Sequence, residues 1–190
     1  MLRLQNLAYS CLNYACKPRL LSISINHKLC NHTGICELSS FNKDTIKKYI
    51  EQTTNHIALV NDCVKKYDKS LNFSNHDASK LINFAEYESY VAMNNDINLR
   101  YSEPTIKLSF KIHDALNPHH PEYWYKICLM PDIRIIEMVC DWVALGIELG
   151  KEDKFGGGRG FYEQKARSKY KFTKHQQRLI VSVLNTLERT

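Results

Sequence analysis

The chain reads as an all-α protein, and three observations carry that reading. Apolar residues recur at three- and four-residue intervals over long stretches, the signature of a helix with one buried face. No segment alternates apolar and polar residues as a half-buried strand does. The 190 residues include only 7 Gly and 5 Pro, too few for a many-turned β protein. A chain of this length buries roughly 70% of its unfolded surface, so a helical core needs no staple. Hydrophobic residues at 44% and charged residues at 24% exclude disorder as the main state. No apolar run reaches the ~18 residues of a membrane span. The longest, from Ile133 to Leu149, is interrupted by Arg134, Glu137, Asp141 and Glu148.

The elements follow in order. Residues 1–40 stand apart as a leader or extension, before a helical domain over residues 41–190. Residues 1–36 carry Arg3, Lys17, Arg19 and Lys28 and no acid, so most of the net charge of +6 lies there. The main domain is nearly neutral, which disfavours a nucleic-acid footprint on the fold itself. The leader is consistent with organelle targeting, or with a small metal knuckle from His27, Cys30, His32 and Cys36, although their spacing matches no established ligand pattern. A first helix starts at the cap candidates Asn42 or Asp44 and buries Ile46, Tyr49, Ile50, Thr53, Ile57, Val60, Val64 and Tyr67, with His56 bordering the stripe. A second runs from about Ser74 or Asn75 to Ala92, with Leu81, Phe84 and Val91 inward. A third runs from Pro104 to Asn117 through Ile106, Phe110, His113 and Leu116. The turn Asn117–Trp124 follows, its backbone fixed around two histidines by Pro118 and Pro121. A fourth helix spans Asp132 to Leu149, and a last one Thr173 to Leu187.

Cysteine usage bounds the compartment. Cys11, Cys16, Cys30, Cys36, Cys63, Cys128 and Cys140 are odd in number and share no repeated spacing, which points to free thiols in the cytoplasm or another reducing compartment.

The chemistry concentrates on histidines and acids. His76 and Asp77 are adjacent, His56 lies on the preceding helix, and Asp141 on the fourth. Glu137 is one turn before Asp141 and Glu148 two turns after it, on the same helical face. Acids on a helix ready for burial are costly unless something positive meets them, and a divalent metal would do so. The order His56, His76-Asp77, Asp141 resembles the HD-domain superfamily of metal-dependent phosphohydrolases, whose pattern is H…HD…D on a helical bundle. His76–Lys80 looks like its HD-x-x-K form, and His113 with His119-His120 is similar to the extra histidines of its multi-metal branch. The run also resembles a family of uncharacterised phage and bacterial proteins pairing H-D-x-S-K with N-x-H-H-P-E-Y-W and an E-M-x-x-D-W helix.

The resemblance covers about residues 45–145 and implies an HD-like bundle of five or six helices. It implies a first metal on His56, His76, Asp77 and Asp141, a second served by His113, His119 and His120, and Asp77 as the bridging carboxylate. Lys80 would meet a substrate phosphate as a point charge. Mixed imidazole and carboxylate ligands suit one or two ions of Mn, Fe, Co, Ni or Zn. The implied activity is hydrolysis of a nucleotide or other small phosphate ester by water that the metal acidifies. A di-iron oxygenase of the same fold and a non-enzymatic, metal-stabilised binding module are the alternatives. Two features depart from the multi-metal branch. His113 and His119 are only six residues apart, and the glycine-tyrosine-proline element that marks its cyclic-dinucleotide enzymes is missing.

Three further features are weaker. Tyr87, Tyr90, Tyr123, Trp124 and Tyr125 read as packing aromatics. Gly156–Gly160 with Arg159 is a candidate phosphate contact, but it lacks the Walker ending and reads better as a lid or linker. Lys165, Arg167, Lys169, Lys171 and Lys174 read as a solvated face.

Overall fold

The structure is a computed structural model and describes residues 43–83 and 103–188. All of them belong to one unit of the chain, Ile35–Thr190. The leader, the His27–Cys36 cluster, Phe84, Tyr87, Tyr90 and Val91 lie outside the described residues.

The fold is all-α. Among the described residues its helices are α1 (Lys43–Tyr67), α2 (Ser79–Ile82), α3 (Glu103–Leu116), α4 (Asp132–Leu149), α5 (Gly157–Phe161), α6 (Arg167–Lys169) and α7 (Lys174–Leu187). Helix α4 is central and packs on α1, α5 and α7. Its Ile135, Met138, Val139, Cys140, Val143 and Ala144 are all buried, which explains its almost unbroken apolar stretch. Burying each of the larger ones contributes about 1.5–3 kcal/mol. Among the described residues no helix is long and apolar enough to cross a membrane.

The ends of the long helices follow local chemistry. Thr173 caps α7 through a capping box with Gln176. Helix α1 buries Tyr49, Thr53, His56, Val60 and Val64 in one stripe, but Ile50 sits beside that stripe at 43% exposure.

Four expectations are corrected. Helix α2 begins at Ser79, because residues 74–78 form turns in which Asp77 has φ of 52°; a side chain in that region does not continue a helix. Leu81 is exposed, as are Phe110 and Leu116 on α3, where Ser109, His113 and Asn117 are buried instead. The described part of the buried face of α3 is thus polar, with His113 inward as expected, and the side chain of Ile106 lies outside the described residues. The glycine-rich segment is not a lid or linker but the start of a helix. Gly157 takes φ of 93°, and a Cβ on Gly158 would come within 2.7 Å of Val143 Cγ2, so the glycines serve close packing of α5 on α4. A π-helical stretch, Tyr162–Ala166, joins α5 to α6. Cys63 and Cys140 are free and buried, and Cys128 is free and exposed. The five basic residues from Lys165 to Lys174 are exposed, as expected of a solvated face.

Candidate metal centre

Two loops and two long helices bring the histidines together. Asn61 on α1 clamps the first loop at both polar atoms of Phe73. Its Nδ2 donates to the Phe73 carbonyl at 3.2 Å, and its Oδ1 accepts from the Phe73 N–H at 2.7 Å. His76 N–H then bonds back to Phe73 O at 2.8 Å, and Lys80 N–H to Asp77 O at 2.9 Å. Adjacent His76 and Asp77 can face one point because they sit on this turn and not on a helix. In the second loop, Asn117 N–H bonds to His113 O and His120 N–H to Asn117 O, which folds His119 back beside His113. The short His113–His119 spacing is closed in this way. Trp124 Nε1 pins the same loop to Pro118 O at 2.9 Å.

Asp77 is the hub. Its Oδ1 lies 3.3 Å from His113 Nε2 and 3.4 Å from His119 Nε2. Its Oδ2 lies 3.8 Å from His56 Nε2 and 3.9 Å from His76 Nε2, and also accepts from Lys80 Nζ. Asp141 Oδ1 is 3.0 Å from His56 Nε2 and 3.6 Å from His76 Nε2. His120 Nε2 meets His113 Nε2 at 2.9 Å. Among the described residues, three groups of potential ligand atoms lie in the cluster, His56-His76-Asp77, His76-His119-Asp141 and Asp77-His113-His119-His120, and a fourth, Asp114-His120-Glu122, adjoins it.

All five imidazoles turn Nε2 inward and Nδ1 outward. His56 Nδ1 meets Glu148 at 3.0 Å, and His76 Nδ1 meets Glu137 Oε1 at 3.1 Å. His119 Nδ1 lies 3.6 Å from the same Glu137 oxygen, His120 Nδ1 3.6 Å from Asp114, and His113 Nδ1 3.1 Å from Asn117 Nδ2. Arg134 holds the far oxygen of Glu137 at 2.6 Å. An outer partner on Nδ1 fixes ring orientation and leaves Nε2 to the centre, as in metal-binding histidines generally. Inside the cluster, His76 Nε2, Asp77 Oδ1 and His119 Nε2 are buried without a hydrogen-bond partner. Orphaned buried polar atoms are rare, and these three are atoms a metal would satisfy.

The charges answer to this geometry. Burial lowers the pKa of His56, but bonds to Asp141 and Glu148 outweigh it and raise it to about 9. His76 behaves alike, reaching about 10 through Asp141 and Glu137. Burial opposes ionisation of Asp77 and Asp141, yet the histidines around them hold both well below the usual carboxylate range. Burial and then His119 push His120 down to about 3, so its ring is neutral.

Every residue expected as a ligand is gathered here, as is Lys80. Arg159 is not: its guanidinium bonds Asn185 at 2.8 Å and pairs with Glu188, tying α5 to the end of α7. The outer partners Asn61, Asp114, Asn117, Arg134, Glu137 and Glu148 were not assigned from sequence. Only Glu137 and Glu148 left a signal, as acids in the same helical stripe as Asp141. Asn61→Ala would leave the buried Phe73 N–H without its acceptor, at about 1–3 kcal/mol, while the Phe73 C=O keeps the bond from His76 N–H. We expect a lower melting temperature and weaker metal binding from a residue that touches no ligand; unchanged binding by the refolded variant would show that the loop holds without the clamp.

The chain matches the family of unknown function DUF5662 over residues 45–189 and belongs to it. No curated protein and no solved structure matches it.

Proposed function

We propose that this DUF5662 member is a divalent-metal-dependent phosphohydrolase of HD type, acting on a nucleotide or another small phosphate ester. The observation that carries the reading is the common orientation of five imidazoles, Nε2 toward Asp77 and Asp141 and Nδ1 toward an outer partner. The three orphaned atoms at the centre support it.

His56, His76, Asp77 and Asp141 would hold one ion, and Asp77, His113, His119 and His120 the other. The donor set suits Mn, Fe, Co, Ni or Zn. Bound ions supply Lewis acidity and a water acidified to near-neutral pH. The chain supplies the rest. Lys80, 19% exposed at the edge of the cluster, offers a point charge to the phosphoryl oxygens. Glu137 and Glu148 keep three imidazoles in the orientation that frees Nε2. Asp77 ties the two halves together.

Elemental analysis of the purified protein tests the reading. One or two transition-metal equivalents per chain are expected, lost in the His76→Ala/Asp77→Asn double variant, together with metal-dependent release of phosphate from nucleoside monophosphates. Absence of metal, with folding indifferent to chelator, would overturn it. Two irons with an oxygen-dependent activity would replace it with an oxygenase.

A further inference from the structure

The cluster has two unlike sides. On one, the side chains of Asp141, Lys80 and His120 retain 16%, 19% and 23% exposure. On the other lies a cleft of about 650 Å³. The cleft takes a wall from Ala78, Ser79, Ile82 and Asn83 but not from Lys80, and neither Asp77 nor Asp141 lines it. His76, His119 and Glu137 form its floor. The inward Nε2 atoms of both histidines are sealed from solvent, so the cleft meets only the backs of these rings.

Among the described residues Arg134 is the one arginine or lysine in the lining. Among the described residues its guanidinium makes a single side-chain hydrogen bond, to Glu137, and lies 6.0 Å from the centroid of the Phe73 ring. Of five N–H donors, most therefore remain for a ligand. Around it, apart from the two histidines and Glu137, the described polar side chains are uncharged, with amides such as Asn72 and Asn75. The one acid, Glu137, is 2% exposed and already bonded.

We propose that this rear cleft is a second binding site, separate from the accessible face of the cluster, for a small phosphomonoester with a neutral polar body. The phosphate meets Arg134, whose fork matches a tetrahedral anion, and the amides meet the body. A single cation does not match a polyphosphate. Glu137 links the cleft to the cluster, because one oxygen holds Arg134 while the other faces Nδ1 of both His76 and His119. A phosphate competing for Arg134 leaves Glu137 a stronger acceptor for the two rings, which makes their Nε2 atoms better donors. Ligand in the cleft thus tightens metal binding, and metal tightens the ligand by the same factor. This coupling rests on the two-metal reading; binding in the cleft does not.

The test uses the full chain and adenosine monophosphate as the probe. Calorimetry on chelator-stripped protein is expected to show one site, weakened about tenfold or more by Arg134→Gln and by Asn72→Asp, which places a like charge in the lining. Saturating nucleotide should tighten Mn²⁺ binding about threefold or more in wild type and not in Arg134→Gln. No binding to the folded, metal-free protein would overturn the proposal, as would binding indifferent to both variants. Binding that requires Mn²⁺ and disappears in Asp141→Asn would place the nucleotide on the accessible face and also overturn it. Nucleotide binding in a protein that takes up no Mn²⁺ would sustain the cleft site while the two-metal reading fell.

Discussion

Asp77→Asn is expected to remove both metal equivalents at once, whereas His56→Ala removes one. Asp77 is common to the groups His56-His76-Asp77 and Asp77-His113-His119-His120, with Oδ1 toward His113 and His119 and Oδ2 toward His56 and His76. Its carboxylate also balances Lys80. Asparagine is the informative replacement, because it tolerates the left-handed backbone at φ of 52° and removes only the charge and one acceptor. Alanine there would add about 1–2 kcal/mol of backbone strain and confuse the reading. A phosphatase of the proposed kind would lose roughly 10³-fold or more in kcat/KM, since the charge that pairs the ions is gone. Equilibrium dialysis with elemental analysis reads the outcome. One equivalent kept by Asp77→Asn would mean that the two groups bind independently and that Asp77 does not bridge.

The metal-free protein is expected to lose stability between about pH 6.5 and 10, and metal to abolish that loss. His56 and His76 have folded-state pKa values raised to about 9 and about 10, because the carboxylates that face them, Asp141 with Glu148 and Asp141 with Glu137, outweigh burial. A raised histidine contributes its stability fully below its unfolded pKa of about 6.5, and the contribution disappears as pH rises through the folded value. Asp77, Asp141 and Glu137 are lowered, so their contribution is present above their unfolded values of about 4 and is lost on acidification. The apo optimum therefore lies between these limits, near pH 5–6 by this account. The alkaline loss is on the order of a few kcal/mol. Coordination requires neutral imidazoles, so metal binding at pH 7 expels protons, about two per chain. Melting temperatures in chelator at pH 6 and pH 9, and proton release on adding Mn²⁺ in weak buffer, check both halves. A melting temperature that rises toward pH 9 in chelator would show that the histidines are not held as cations.

Much of the fold was legible because it follows local rules. Helix α4 begins and ends where the apolar pattern and Gly150 place it, α7 where Thr173 caps it, and α1 covers the stretch that the helical period marks. The inward ligands were legible as residue types in an order. Their outer partners were not. His56 reaches Glu148 across 92 residues and His76 reaches Glu137 across 61, and no short window contains such a pair.

By itself, then, the sequence determined an all-α domain, the course of its long helices and a set of histidines and acids that cost too much to bury alone. Tertiary structure decided which way each of them points. The turn at Asp77, with its left-handed backbone and its clamp on Asn61, converts two adjacent residues that would diverge on a helix into ligands facing one centre. It also turned polar residues of α3 inward, made the glycine segment a packed helix and spent Arg159 on α7. The reason is physical: periodicity reports how one element meets an average core, while an imidazole's tautomer and a carboxylate's charge are set by the few atoms within hydrogen-bond reach, and only folding chooses those atoms.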